Sequence, residues 1–144
     1  MVLGGVVIPS SFGPDGHSDA DVLIHAIADA LLGAMALGDI GKFFPPTDPQ
    51  YKDMDSRLIL SQVYEMVCQK GYVLGNVDAV IVLQQPKISP YIDAIRHELA
   101  CIMQVSTDFV SVKATTTERL GFVGRGEGVS AYATVMLILK NQEN

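Results

Sequence analysis

Three short stretches hold residues whose types and spacing could do chemistry. In "HSDADVLIHAIADALLG", His17 to Gly33, a histidine at position 25 is followed four residues later by Asp29, with Asp21 one turn earlier. On a helix that spacing shares one face. A neutral imidazole oriented by a carboxylate is a common metal ligand; a hydrogen-bonded core histidine explains the same pattern. One histidine does not hold zinc, for which three protein ligands are usual at a catalytic site. His17-Ser18 precedes the helix, where backbone N–H groups and the dipole favour an anion; plain capping by Ser18 accounts for the serine but not the histidine.

The second stretch, "TTTE", follows a strand. The hydroxyls of Thr115, Thr116 and Thr117 suit phosphate oxygens, and Glu118 beside them suits a hard divalent ion. A polar strand-to-loop turn has the same composition. The third, "GRGEG" (Gly124 to Gly128), leads into a strand and so is not a dinucleotide fingerprint, which follows a strand and opens a helix. Its Arg125 and Glu127 either pair or face an anion. His97, between Arg96 and Glu98, lies off the apolar stripe of its helix and is placed on the surface.

These stretches need elements to position them. Val2 to Ile8 reads as a short strand broken at Gly4-Gly5. A helix capped by Ser18 or Asp19, with Asp21 in its first turn, runs to about Leu37; it is apolar almost all round and hence central. A proline-rich loop, "GDIGKFFPPTDPQYKDMD", separates it from a second helix after Asp55 or Ser56, with Ile59, Val63, Met66 and Val67 inward and Gly71 closing it. Tyr72 to Leu83 is a strand region interrupted at Gly75-Asn76. A third helix from about Ser89 turns Ile92, Ile95, Leu99 and Ile102 inward. Phe109 to Ala114 and Val129 to Leu139 are strands. The order β-α-α-β-α-β-β predicts an α/β fold of α+β sandwich type, with helices on one side of a mixed sheet.

Composition bounds what such a fold does. The chain has 144 residues, enough for one domain, and is 49% hydrophobic, which fits an oligomer that buries part of its surface. A net charge of −6 without a Lys/Arg cluster argues against nucleic acid. The apolar runs are too short or interrupted to span a membrane, and the start lacks a signal-peptide pattern. Cys68 and Cys101 fall within helical patterns without zinc spacing, and read as buried free thiols of a reducing compartment.

Taken together, "HSDADVLIHAIADALLGAMALGDIGKFFP", "DSRLIL", "GNVDAVIVLQQPK" and "VKATTTERLGFVGRGEG" closely resemble, in order and over nearly the whole chain, the 2-C-methyl-D-erythritol 2,4-cyclodiphosphate synthase family of the non-mevalonate isoprenoid pathway. The resemblance implies a homotrimeric lyase with active sites between subunits. It implies conversion of 4-diphosphocytidyl-2-C-methyl-D-erythritol 2-phosphate to the cyclic diphosphate and CMP, by metal-assisted intramolecular phosphoryl transfer. It implies one Zn2+ per subunit and a Mg2+ or Mn2+, with His25 as a zinc ligand and Glu118 as the protein ligand of the second ion. His17 and Thr116 match transition-state stabilising positions, and Ser18 matches a contact to the methylerythritol phosphate. Asp39, Ile40 and Gly41 match ribose contacts, and Phe44, Pro45, Pro46, Thr47 and Asp48 the substrate loop. Leu83, Gln84, Gln85, Pro86, Lys87, Ile88 and Ser89 match the cytidine and diphosphate pocket. Thr115, Thr116, Thr117 and Glu118 match the phosphate side, with Phe122 and Arg125 beside the substrate and the central trimer cavity.

Two departures stand out. Where the family bears a strand with an Asp-x-His pair completing the zinc site, this chain opens with "MVLGG", short relative to the family, and the ligand set is incomplete. Pro46 occupies a position where an acidic residue is common. A second reading therefore accompanies the first: a truncated or catalytically impaired trimer that keeps only the CMP and diphosphate pocket. The expected setting is a single domain over residues 1–144, in a bacterial-type cytoplasm or a plastid, with no nucleic-acid or membrane partner.

Overall fold

The computed structural model describes residues 1–10 and 19–141. The expected first strand is a hairpin: β1 (Val2–Leu3) pairs antiparallel with β2 (Val6–Val7) around Gly4-Gly5. Gly4 has φ +61°, and a Cβ there would stand 2.6 Å from Ile95 Cγ2. The turn thus needs glycine both for its backbone angle and for its packing.

Helix α1 (Val22–Ala34) is capped by Asp21, which accepts from Ile24 N at 3.0 Å. The expectation of Ser18 or Asp19 as cap is therefore corrected for Asp19, while Ser18 lies outside the described residues. Asp21 wins because its carboxylate also accepts from Gly4 N (2.9 Å) and Gly5 N (2.7 Å). One buried side chain thereby closes the hairpin and starts the helix. The helix ends three residues earlier than expected, at Ala34, because Ala36 and Gly38 take positive φ (57° and 98°). Leu23, Ile24, Ile27, Ala28, Leu31 and Leu32 are buried, which bears out its central placement.

The proline-rich segment contains a short helix, α2 (Ile40–Phe43), capped by Asp39, and a single 3-10 turn, Pro49–Tyr51, capped by Asp48. Asp55 caps α3 (Ser56–Gln69). Then follow β3 (Tyr72–Val82), a 3-10 turn at Ser89–Tyr91, α4 (Ile92–Met103), β4 (Val110–Thr115), the four-residue α5 (Gly121–Gly124) and β5 (Ser130–Leu139). The expected break at Gly75-Asn76 is a bulge between Leu74 and Asn76 in the pairing of β3 with β5.

The sheet order is β4-β3-β5, with β3 parallel to β4 and antiparallel to β5. A parallel pair requires a crossover, and α4 supplies it. Helix α1 packs on β5 and α3, and α4 packs on β4. Alternate residues of the sheet, including Val77, Ala79, Ile81, Val110 and Val112, bury against these helices. The mixed sheet with helices on one side is as the patterning predicts. Its other face is open: Tyr132, Met136 and Ile138 of β5 are 65%, 62% and 51% exposed. Cys68 and Cys101 are free but exposed, a correction to their expected burial. Each lies one position from a buried residue, Val67 or Ala100, on the solvent side of its helix. Among the described residues, no helix is long and apolar enough to cross a membrane.

Candidate functional site

The ends of β3 and β4 lie side by side, and the segments after them meet. Leu83 N donates to Thr115 O at 3.0 Å. Gln84 Oε1 accepts from Arg119 N at 3.1 Å, which ties the first segment to the turn after "TTT". Between them lies a cavity of about 370 Å³ lined by Leu83, Gln84, Pro86, Lys87, Ile88 and Ser89 from one side. Ala114, Thr115 and Thr116 line the other. A cis peptide joins Gln85 to Pro86. Two segments more than twenty residues apart in sequence thus form one concave surface at the carboxyl ends of two parallel strands, where ligands of open α/β sheets bind.

The "TTTE" turn is built by its own side chains. Thr116 Oγ1 accepts from Glu118 N at 3.1 Å, and Thr117 Oγ1 donates to Leu120 O at 2.6 Å. Glu118 and Arg119 both take left-handed backbone angles (φ 51° and 67°). Such angles cost free energy in non-glycine residues and cluster at functional sites. Among the ion pairs of the described residues, none involves the Glu118 carboxylate, and the residue is exposed. An unpaired exposed carboxylate beside hydroxyls has the donor chemistry of a hard-cation ligand. Arg125 pairs with Glu127 (Nε to Oε1, 2.9 Å), which resolves their two readings in favour of pairing within this chain. The guanidinium holds the Glu127 carboxyl below its usual range. Phe122 is half exposed at 51%.

His25 sits one turn into α1, and its Nε2 lies 2.9 Å from Ser56 Oγ. Ser56 is wholly buried at the start of α3 and is itself held by Asp19: Ser56 N to Oδ2 at 3.0 Å, Ser56 Oγ to Oδ1 at 2.5 Å. The expected partner, Asp29, is elsewhere engaged. Its Oδ1 accepts from Ile40 N at 2.8 Å, so it anchors α2 to α1. Sharing a helix face does not oblige two side chains to meet when one has a better donor. Sequence reasoning missed Ser56 as the partner of His25 and Asp19 as the partner of Ser56, because 31 residues separate the first pair and 37 the second.

The remaining candidates fall in two groups. Asp39 accepts from Lys42 N at 3.1 Å as the α2 cap, with Ile40 and Gly41 in that helix. Phe44 packs edge-on against Tyr51 at 5.4 Å between centroids. Phe43, Phe44 and Tyr51 line a second cavity of about 410 Å³ with Gln62, Glu65, Met66 and Gln69. The two cavities share no residue. His17 and Ser18 lie outside the described residues. So does Asp15-Gly16-His17, an Asp-x-His triplet that precedes α1 in the sequence. His97 is exposed, as expected, with Nε2 3.6 Å from Cys101 Sγ.

Among the described residues no three His, Cys, Asp or Glu side chains gather as a metal cluster. His25 has the chemistry of one zinc ligand, and the described residues do not supply the rest of a three-ligand set.

The YgbB family model matches residues 1–138. A protein of Moorella thermoacetica named 2-C-methyl-D-erythritol 2,4-cyclodiphosphate synthase is 61% identical over 138 residues, covering 96% of this chain and 85% of that protein. Its namesake in Geobacter metallireducens is 61% identical over 137 residues, covering 95% and 87%. Among solved structures, the bifunctional IspDF of Campylobacter jejuni superposes with a TM-score of 0.91 at 41% identity; the match covers 95% of this chain but only 37% of that longer one. A CDP-bound 2C-methyl-D-erythritol-2,4-cyclodiphosphate synthase superposes at 0.88 and 36% identity, covering 96% and 89%.

Proposed function

Because the chain belongs to the YgbB family, we propose that it is a 2-C-methyl-D-erythritol 2,4-cyclodiphosphate synthase. It closes 4-diphosphocytidyl-2-C-methyl-D-erythritol 2-phosphate into the cyclic diphosphate and releases CMP. An oxygen of the 2-phosphate attacks the β-phosphorus of the same molecule. The bond from that phosphorus to the oxygen bridging the two diphosphate phosphorus atoms breaks, and CMP departs with that oxygen. Such a transfer needs alignment and charge neutralisation more than a strong base. The observation that carries the reading is the single cavity in which the Leu83–Ser89 segment meets Thr115 and Thr116.

In this reading that cavity takes the cytidine and diphosphate, with Lys87 contributing a positive charge. Thr116, with His17, stabilises charge on the transferring phosphoryl, and Ser18 holds the methylerythritol phosphate. Glu118 holds a Mg2+ or Mn2+, which when bound neutralises phosphate charge. His25 is a zinc ligand; no step is assigned to zinc. The Asp39–Gly41 helix and the Phe44–Asp48 loop hold the ribose and the sugar alcohol. None of these residues lines the first cavity in one copy, which supports a complete site shared between subunits of a homotrimer, with Phe122 and Arg125 towards its centre. The whole chain is one such domain, and its location is cytoplasmic.

The test is direct. The purified chain, given that substrate with Mg2+ or Mn2+, should yield cyclic diphosphate and CMP in equal amounts by 31P NMR. CMP binding without turnover would favour the impaired-trimer reading, and a linear phosphate product would mark a phosphohydrolase.

A further inference from the structure

We infer that Ser56 and Asp19 are positioning residues for His25, and that they fix its ring with the proton on Nε2 and the lone pair on Nδ1. The argument is proton accounting. A carboxylate accepts hydrogen bonds and does not donate them, and a serine hydroxyl has one proton. Ser56 Oγ is 2.5 Å from Asp19 Oδ1, a distance typical of a charge-assisted O–H···O bond, so its proton points at Asp19. The same oxygen lies 2.9 Å from His25 Nε2. With its only proton committed, Ser56 Oγ accepts there, and Nε2 must carry a hydrogen.

Three features make the arrangement rigid. Ser56 is fully buried. Its backbone N–H donates to the other Asp19 oxygen at 3.0 Å. Asp55 caps the helix that carries it, accepting from Arg57 N at 2.9 Å. Asp19 thus grips both hydrogen-bond donors of Ser56, and the hydroxyl has little rotational choice. Metal-ligating histidines commonly donate their other ring N–H to an oxygen that sets the tautomer and ring orientation. Here that oxygen is a hydroxyl polarised by a carboxylate. The assigned metal-accepting atom is Nδ1. This last part rests on the reading of His25 as a zinc ligand; the tautomer does not.

Two measurements on the full chain separate these parts. Long-range 1H–15N correlation of histidine-labelled, metal-free protein should show His25 protonated on Nε2. Ser56→Ala should lose that preference, and Ser56→Thr, which restores a hydroxyl, should keep it. A wild-type ring protonated on Nδ1, or an unchanged tautomer in Ser56→Ala, overturns the inference. Chelator competition with zinc alone should show roughly 10–100-fold weaker binding in Ser56→Ala, recovered in Ser56→Thr. Equal affinities would overturn the positioning role. Absence of zinc binding at His25 in the wild type would overturn the ligand assignment and leave the tautomer to be judged by the first measurement.

Discussion

At the scale of single residues, the two carboxylates that matter most do opposite things. Glu118 is exposed and outside the ion pairs of the described residues, on a left-handed backbone. Glu118→Gln removes the charge and keeps the shape. It should raise the Mg2+ or Mn2+ concentration for half-maximal turnover by about tenfold or more, on the order of 1.4 kcal/mol; an unaltered metal titration would rule out its role. Asp21 is fully buried among three backbone N–H donors. Burial pushes its carboxyl above the usual range, against the pull of those donors. A raised folded-state value means that the fold holds the proton more tightly than the unfolded chain. Its titration therefore favours the fold fully below the unfolded value near 3.8 and no longer does so once pH has risen through the folded value. The stability gap between wild type and Asp21→Asn should accordingly widen as pH falls, which urea unfolding at pH 8 and pH 4 would check; a constant gap would contradict it. That Glu118 sets a carboxylate beside threonine hydroxyls was legible from "TTTE". The role of Asp21 was not, since its donors Gly4 and Gly5 lie 16 or 17 residues away.

Among the elements, α5 is the least visible in sequence and the most constrained. The "LGFVG" run reads as loop, yet Gly121–Gly124 forms one helical turn. A Cβ on Gly124 would stand 2.2 Å from the carbonyl carbon of Arg119, so the two backbones touch. Gly124→Ala must displace the turn that carries Glu118 and the Arg119 N–H bonded to Gln84. We expect a destabilisation of about 1–3 kcal/mol and a fall of roughly tenfold in kcat/KM, equal to about 1.4 kcal/mol in the barrier, while far-UV circular dichroism keeps the signature of the sheet. Full activity in this variant would show that the turn tolerates movement. By contrast the long helices and strands were readable to within a few residues, because each pays for its backbone order with a continuous apolar face of matching period. The ends were less so: α1 stops where Ala36 and Gly38 take positive φ, a decision of the loop and not of helix propensity.

For the whole molecule, the open face of the sheet is the feature to explain. Tyr132, Met136 and Ile138 form an apolar stripe along an edge strand, the kind of surface that marks an interaction site. The proposed trimer covers it. Met136→Asp would place a charge in that contact, and sedimentation velocity should show the wild type at three times the chain mass and the variant as monomer, with turnover lost together. A wild-type monomer with full activity would sink the trimer.

Residue order alone determined the succession of helices and strands, the acidic character of the chain, and the motifs that carry the family. These depend on local period, charge and spacing, all of which are properties of the chain in one dimension. Tertiary structure alone decided that Leu83–Ser89 and Thr115–Thr116 share a cavity, that Asp29 serves α2, and that Asp19 and Ser56 hold His25. Each of those pairings joins groups distant in sequence, and only the packing of the helices on the sheet brings donor and acceptor within hydrogen-bond reach.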